Sequence, residues 1–239
     1  MNIVVIFAGG TGQRMNCKTK PKQFLELHGK PILVYTVEQF QKHEMIDGII
    51  IVMLENWISY CEDIISQYRL TKVSAVVRGG NNGQESIFRG IEKAHELYPS
   101  DSIVLIHDGV RPLVDHETIT EDIKCARKHG NAITVAPAIE TITLKNDMGA
   151  VKEIFDRSRC YMAKAPQCFR LKDIYDSHLQ SQQEGLTDFI DSASLMKHYG
   201  YELYTVEGSP ENIKITTPGD FYIFRAIVDA QENSQIFGI

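Results

Sequence analysis

Asn2-Ile3-Val4-Val5-Ile6-Phe7-Ala8-Gly9-Gly10 decides how the rest of the chain is read. A β-branched run of strand composition stops on glycines. Outward from it, short apolar runs alternate with longer segments of helical period. Residues 48–53 (GIIIVM), 72–77, 102–107 (SIVLIH) and 131–136 read as further strands. Residues 31–43 read as a helix opened by Pro31, with Val34, Val37 and Phe40 near helical spacing. Residues 55–68 place Trp57, Cys61, Ile64, Ile65 and Tyr68 on one helical face. Residues 85–98 turn Ile87, Ile91 and Ala94 inward. Residues 117–129 do the same with Ile119, Ile123 and Ala126 before Gly130 stops the helix.

This alternation predicts an α/β fold, a mostly parallel sheet covered by helices on both faces. Such sheets bind ligands beyond the carboxyl ends of their strands. Residues 8–14, 78–86 and 107–112 are therefore where a site is expected. The pattern changes near residue 137. Residues 139–155 hold two strand-like runs around Lys145-Asn146-Asp147-Met148-Gly149, which predicts a protruding β-hairpin arm that packs on something. Residues 201–206 read as a returning strand and 219–233 as a closing helix. No repeat or linker is evident, so one domain over residues 1–239 is expected, with the arm at 138–158.

The composition, 239 residues with 43% hydrophobic and 23% charged, is that of a soluble globular protein. A net charge of -6 argues against nucleic acid as a partner, though not against a local anion site. No apolar run reaches the ~18 residues of a membrane span. The N-terminus lacks a basic leader and turns to glycine too early for a signal peptide. Cys17, Cys61, Cys125, Cys160 and Cys168 form no CxxC pair and read as reduced thiols. A cytoplasmic protein without a membrane partner is the expectation.

Four stretches could carry chemistry. Ala8-Gly9-Gly10-Thr11-Gly12-Gln13-Arg14-Met15 is neither a Walker loop nor G-x-G-x-x-G, and alone it reads equally as a tight turn. Arg14, Lys18, Lys20 and Lys22 nearby make it look like a polyphosphate clamp in an acidic protein. His107-Asp108-Gly109-Val110-Arg111-Pro112 offers a carboxylate for Mg²⁺ or a hydroxyl and a guanidinium for phosphate. Its plain alternative is an internal Asp–Arg salt bridge; His107 reads as structural. Arg78-Gly79-Gly80-Asn81-Asn82-Gly83-Gln84-Glu85-Ser86 could read a base edge or simply be a flexible loop. In Asn212-Ile213-Lys214-Ile215-Thr216-Thr217-Pro218, Thr217 caps the last helix and Lys214 points to a cleft or to solvent.

AGGTGQRM, PKQFL, GKPI, GG-x5-S, HDGVRP and NIKITTP occur in this order, with Asp156-Arg157-Ser158 and Ala165-Pro166-Gln167 between the last two. The set resembles the CTP-dependent cytidylyltransferases acting on 2-C-methyl-D-erythritol 4-phosphate or ribitol 5-phosphate, over nearly the whole chain. The resemblance implies a Rossmann-like nucleotidyltransferase three-layer sandwich, Mg²⁺ dependence, and a homodimer whose arms each reach the partner's site. It implies that Arg14 and Lys22 act on the α-phosphate of CTP. Phe7, Ala8, Gly9 and Gly10, with Gly80, Asn81, Asn82, Gly83, Gln84, Glu85 and Ser86, would hold the nucleotide. Asp108 and Arg111 would lie beside ribose, metal and acceptor. Thr141 and Arg157 would grip the acceptor phosphate from the partner, and Lys214 would position it.

The chain departs from the family pattern at Ala165, where a threonine is usual, and at Gly83, where an arginine is common. The family's Thr-Asp element maps to Thr187-Asp188 or to Ile190-Asp191. Glu140-Thr141-Ile142-Thr143 lacks a lysine that many isoprenoid-pathway members carry. The expected reaction is CMP transfer from CTP to a polyol phosphate, ribitol 5-phosphate before methylerythritol phosphate. A UTP- or dTTP-dependent sugar nucleotidyltransferase and a non-catalytic nucleotide-binding regulator are the competing readings. Arg14, Lys22, Arg157 and Lys214 together argue against the regulator, which needs no transition-state charge.

Overall fold

The structure is a computed structural model that describes residues 1–10 and 20–237, with side chains through residue 233. Its strands are β1 (Asn2–Ala8), β2 (Glu26–Leu27), β3 (Lys30–Pro31), β4 (Gly48–Met53), β5 (Val73–Arg78), β6 (Ile103–Asp108), β7 (Asn131–Pro137), β8 (Thr143–Lys145), β9 (Val151–Ile154), β10 (Tyr161–Arg170) and β11 (Thr205–Glu207). Its helices are α1 (Ile32–Gln41), α2 (Ile58–Gln67), α3 (Gly83–Leu97), α4 (His116–His129), α5 (Leu171–Gln183), α6 (Ser192–His198) and α7 (Pro218–Phe237).

A seven-stranded sheet in the order β11-β7-β10-β6-β1-β4-β5 carries the fold. β10 is its one antiparallel member, pairing that way with both β6 and β7. Alternation along β1 sorts the two layers of core. Val4, Ile6 and Ala8 pack with Val34, Val37 and Phe40 of α1, Cys61 and Ile64 of α2, and Ile119 and Ile123 of α4. Ile3 and Val5 pack on the opposite face with Ile87 and Ile91 of α3, Ile174 of α5 and Leu195 of α6. The expected helix–sheet–helix sandwich is therefore present. A third cluster joins Phe224 and Val228 of α7 to Leu27, Ile32 and Val110.

Local chemistry sets the helix ends. Asn82 accepts from the Glu85 N–H at 2.8 Å and so starts α3, two residues before the expected start. Gly130, at φ +91°, closes α4 as read from the sequence. Pro31 caps α1 rather than opening it, and the segment expected as helix from residue 55 begins with a 3-10 turn, Glu55–Trp57. The strand expected at 201–206 is short and shifted to β11.

β10, α5 and α6 were not foreseen. Lys164, Pro166 and Gln167 interrupt the apolar run of β10. The five residues of β10 from Ala163 to Gln167 face only three of β7, Val135 to Ile133, and this bulge erases the strand's alternation. The inward face of α5 carries Ser177, His178 and Ser181 beside Leu171 and Ile174, which weakens its helical signal.

The hairpin is real but its ladder is short. β8 pairs β9 around a turn in which Asn146 Oδ1 accepts from the N–H groups of Met148 and Ala150. From residue 139 to 159, only Asn146 is less than exposed. Among the described residues, no helix is long and apolar enough to cross a membrane.

Candidate active site

The site lies where the alternation placed it, beyond the carboxyl ends of β1 and β6. β1 delivers Phe7 and Ala8 and continues into Gly9 and Gly10. β6 ends on Asp108. The first turn of α3 supplies Gly83 and Ser86. Two adjoining cavities open there. The smaller, about 370 Å³, is lined by Phe7 to Gly10, Lys22, Gln23, Gly80 to Gly83, Ser86, Asp108 and Lys214. The larger, about 650 Å³, shares Phe7, Asn82, Gly83, Asp108 and Lys214 and adds Arg111, Lys164, Ala165, Gln167 and residues 187–192.

Cations from three distant segments meet at this junction. Lys214 Nζ lies 2.5 Å from Asp108 Oδ1, and Arg111 Nε lies 3.2 Å from Asp108 Oδ2. Lys22 Nζ donates to the Ile215 carbonyl at 3.1 Å, next to Lys214 in the chain. Arg111 Nη1 donates to the Asn212 carbonyl at 2.8 Å. Burial alone would raise the Asp108 carboxyl, but Lys214 and Arg111 outweigh it and hold it below the usual carboxylate range. Asp108 is thus an anion amid several cations, and the cleft keeps a cationic excess suited to phosphate. The Asp–Arg salt bridge weighed for this loop is therefore present. Lys214 faces the cleft; its Nζ sits 5.8 Å from the Phe7 ring centre.

His107 is structural, as expected. It is buried, Nε2 lies 2.9 Å from the Arg111 carbonyl, and burial lowers it to about 4. It is neutral at pH 7 and fixes the turn that aims Arg111.

The glycine loop at 79–86 is a built structure. Ser86 Oγ donates to the Asn82 carbonyl at 2.7 Å and accepts from the Gly80 N–H at 3.0 Å. A Cβ on Gly80 would fall 2.3 Å from Glu85 Cγ, so the turn admits no side chain there. Two residues expected to touch nucleotide are engaged elsewhere. Glu85 accepts from Asn81, pairs with Arg89 at 2.7 Å, and lines neither cavity. Gln84 lines the larger cavity, but its amide bonds Ser181, Leu186 and Phe189 and anchors the 186–189 segment.

Asp108 is also a poor metal ligand as it stands. Both its oxygens face cations, and a divalent ion would have to displace one. Among the described residues, no trio of metal-ligating side chains occurs at the cleft. The donor set does not build a Mg²⁺ site from protein groups alone; an ion carried by the nucleotide's phosphates would need as few as one carboxylate here.

Thr141 and Arg157 line neither cavity of their own chain; Arg157 Nη1 donates to the Ile139 carbonyl. Arg14, with residues 11–19, lies outside the described residues. Thr187, Asp188, Ile190 and Asp191 all line the larger cavity. Of these, Asp191 caps α6 through the Ser194 N–H and accepts from Gln167 Nε2 at 2.8 Å. Sequence reasoning missed Lys164, whose contacts are all to backbone carbonyls and leave no pattern in sequence.

With the geometry in hand, comparison with known proteins is specific. The chain matches the 2-C-methyl-D-erythritol 4-phosphate cytidylyltransferase (IspD) family over residues 2–230. It is 52% identical to the ribitol-5-phosphate cytidylyltransferase of Streptococcus agalactiae serotype III, over all of both chains. It is 40% identical to the 2-C-methyl-D-erythritol 4-phosphate cytidylyltransferase of Clostridium acetobutylicum, over 93% of this chain and 95% of that one. The crystal structure of 4-diphosphocytidyl-2C-methyl-D-erythritol synthase from Anaerococcus prevotii superposes with a TM-score of 0.82 at 27% identity, covering 95% of this chain and 96% of that one. A strand-end cleft crowded with lysine and arginine, and these likenesses along its whole length, make the chain a member of the IspD cytidylyltransferase family.

Proposed function

We propose that the protein transfers the cytidylyl group of CTP to ribitol 5-phosphate, releasing pyrophosphate and forming CDP-ribitol. The observation that carries this reading is the meeting of Lys22, Arg111 and Lys214 at one cleft, with Arg111 and Lys214 paired to Asp108 and Lys22 bonded to the Ile215 carbonyl. The smaller cavity suits the nucleotide, and the larger suits the acceptor.

The chemistry needs no general base. A phosphate monoester has a second pKa near 6 and is mostly dianionic at neutral pH. One of its oxygens attacks the α-phosphorus of CTP, a new P–O bond forms, and the bond to the β-phosphate breaks in line. Lys22 offsets the charge that develops on the α-phosphate, and Arg14 joins it in the family reading. Lys214 holds the acceptor phosphate against its target. Preorganised charge of this kind replaces solvent that would have to reorganise. A Mg²⁺ held by protein groups alone has no place in this scheme.

We also propose a cytoplasmic homodimer in which the arm crosses to the partner. Ile139, Met148, Val151 and Ile154 expose their apolar side chains along it, and Thr141 and Arg157 would then complete the partner's acceptor site. Methylerythritol phosphate is the second reading, favoured by the family match and the 40% relative. The test is pyrophosphate release from CTP with each acceptor in turn. Ribitol 5-phosphate is expected to give the higher kcat/KM. Preference for methylerythritol phosphate reverses the assignment, and CTP binding without pyrophosphate release from any acceptor returns the regulator reading.

A further inference from the structure

Lys164 lines this cleft, and its described hydrogen bonds all run to backbone carbonyls. It sits in the β10 bulge, where the extra residues release it from the ladder and aim it across the cavity wall. Its Nζ lies 2.8 Å from the Pro210 carbonyl, 3.2 Å from that of Asn212 and 3.4 Å from that of Ser209. These are the carbonyls of the segment that joins β11 to α7 and carries Lys214. The same Asn212 carbonyl also accepts from Arg111, and the Asn212 side chain returns the link by donating to the Ala165 carbonyl at 2.8 Å. Asn212 is fully buried. Lys164, Arg111 and Asn212 therefore form a closed clasp between β10, the turn after β6, and the segment two residues before Lys214.

Gathering cations in this way is costly. Burial, and then the nearby Arg111 charge, lower the Lys164 ammonium below its usual range. A neutral residue would avoid that penalty, so the ammonium is held there by what it fastens.

We infer that Lys164 is a positioning residue for acceptor binding: by clasping the 209–212 carbonyls to β10 it sets where Lys214 meets the acceptor phosphate. This rests on the reading of Lys214 given above. Lys164 acts through the segment and not on the nucleotide, because it lines the larger cavity and not the smaller.

The experiment compares Lys164→Met, Lys164→Arg, Lys214→Ala and the Lys164→Met/Lys214→Ala pair in the full-length protein, with CTP and ribitol 5-phosphate. Methionine keeps the length and removes the ammonium from three carbonyls, of which Asn212 keeps Arg111 and Ser209 keeps the Asn212 N–H. The loss of charge-assisted hydrogen bonds predicts an acceptor KM about tenfold higher in Lys164→Met, with the KM for CTP within about twofold of normal. Arginine, which keeps the charge and the donors, is expected to restore most of the affinity. In the Lys214→Ala background, Lys164→Met should add less than about twofold, since both changes disable one device.

An unchanged acceptor KM in Lys164→Met, with a raised one in Lys214→Ala, overturns the positioning role alone. An unchanged acceptor KM in Lys214→Ala takes down the reading beneath it. Equal rises in both KM values, with a lowered Tm and no rescue by arginine, would mean a purely structural lysine and also overturn the inference. So would full multiplication of the two losses in the double variant.

Discussion

The strand-end cleft and the hairpin arm solve opposite problems. In the cleft, charged side chains are taken out of water and are held by groups from the same chain: Asp108 by Lys214 and Arg111, Lys22 by the Ile215 carbonyl, Lys164 by residues 209–212. On the arm, apolar side chains stand in water with nothing among the described residues to cover them; Met148 is 89% exposed and Ile154 65%. Such side chains gain free energy only when something else removes them from solvent. The cleft is charge built in advance within the chain, and the arm is an apolar surface left open to solvent. In the dimer proposed above, half of the site is finished within the chain and half is delivered to it.

Breaking the cleft should have the largest effect. Lys22→Ala is expected to keep the fold and lower kcat by ~100-fold or more, the scale of a lost preorganised charge. Circular dichroism beside a pyrophosphate-release assay checks both halves, and near-normal turnover would remove Lys22 from the chemistry. Breaking the arm should change assembly rather than folding. Val151→Asp with Ile154→Asp is expected to leave the protomer's circular dichroism unchanged and shift the mass in solution, read by light scattering, from dimer to monomer.

A third prediction sharpens the contrast between charges used and charges avoided. Thr134 Oγ1 lies 2.7 Å from Asp122 Oδ2 and 2.8 Å from the Pro166 carbonyl. A hydroxyl has one hydrogen, and a carbonyl only accepts. Thr134 therefore cannot serve both at once, and its support for an ionised Asp122 is divided with the Pro166 carbonyl. Burial points the same way: it raises Asp122 from 3.8 to about 8, with the Asp115 charge adding to the shift and the Thr134 bond opposing it. Because the folded value is the higher one, the stabilisation is complete below about pH 4 and is lost as pH rises towards about 8. Thermal denaturation across that window should show this slope, and Asp122→Asn should flatten it. The slope must be read as the difference between the two proteins.

The smallest effect is at the far end of the segment that carries Lys214. The Thr217 N–H donates to Asp220 Oδ2 at 2.7 Å, and the Asp220 N–H donates to Thr217 Oγ1 at 3.3 Å, a reciprocal cap on α7. Thr217→Ala should cost about 1 kcal/mol of stability with little change in turnover, measured by denaturant unfolding.

The parallel part of the fold was legible because β1, β4 and β6 are buried on both faces and read as uninterrupted apolar runs. The ends of β1 and β6 then pointed to Gly9 and Asp108, and the end of the half-buried β5 to the 79–86 loop. The antiparallel strand and its following helices were not legible, since the β10 bulge carries Lys164 and Pro166 where alternation should be, and α5 buries serines and a histidine. Lys214 was seen as a lysine facing cleft or solvent; only packing settles which, through Asp108. Glu85 and Gln84 looked like ligand contacts because they lie in the right loop. In three dimensions one ties down the loop's own backbone and the other a neighbouring segment. Nothing in the sequence distinguishes such a residue from one that touches substrate.

Mixed-subunit complementation tests the central claim, that one protomer's cleft and another's arm make a single site. Lys22→Ala removes a cleft cation, and Arg157→Ala removes a charge from the arm. Each protein alone should be nearly inactive with CTP and ribitol 5-phosphate. Unfolded together and refolded as a mixture, they should regain activity, because each mixed dimer holds one intact cleft facing one intact arm. A mixture as inactive as its two parents, with mixed dimers shown to be present, would contradict the account.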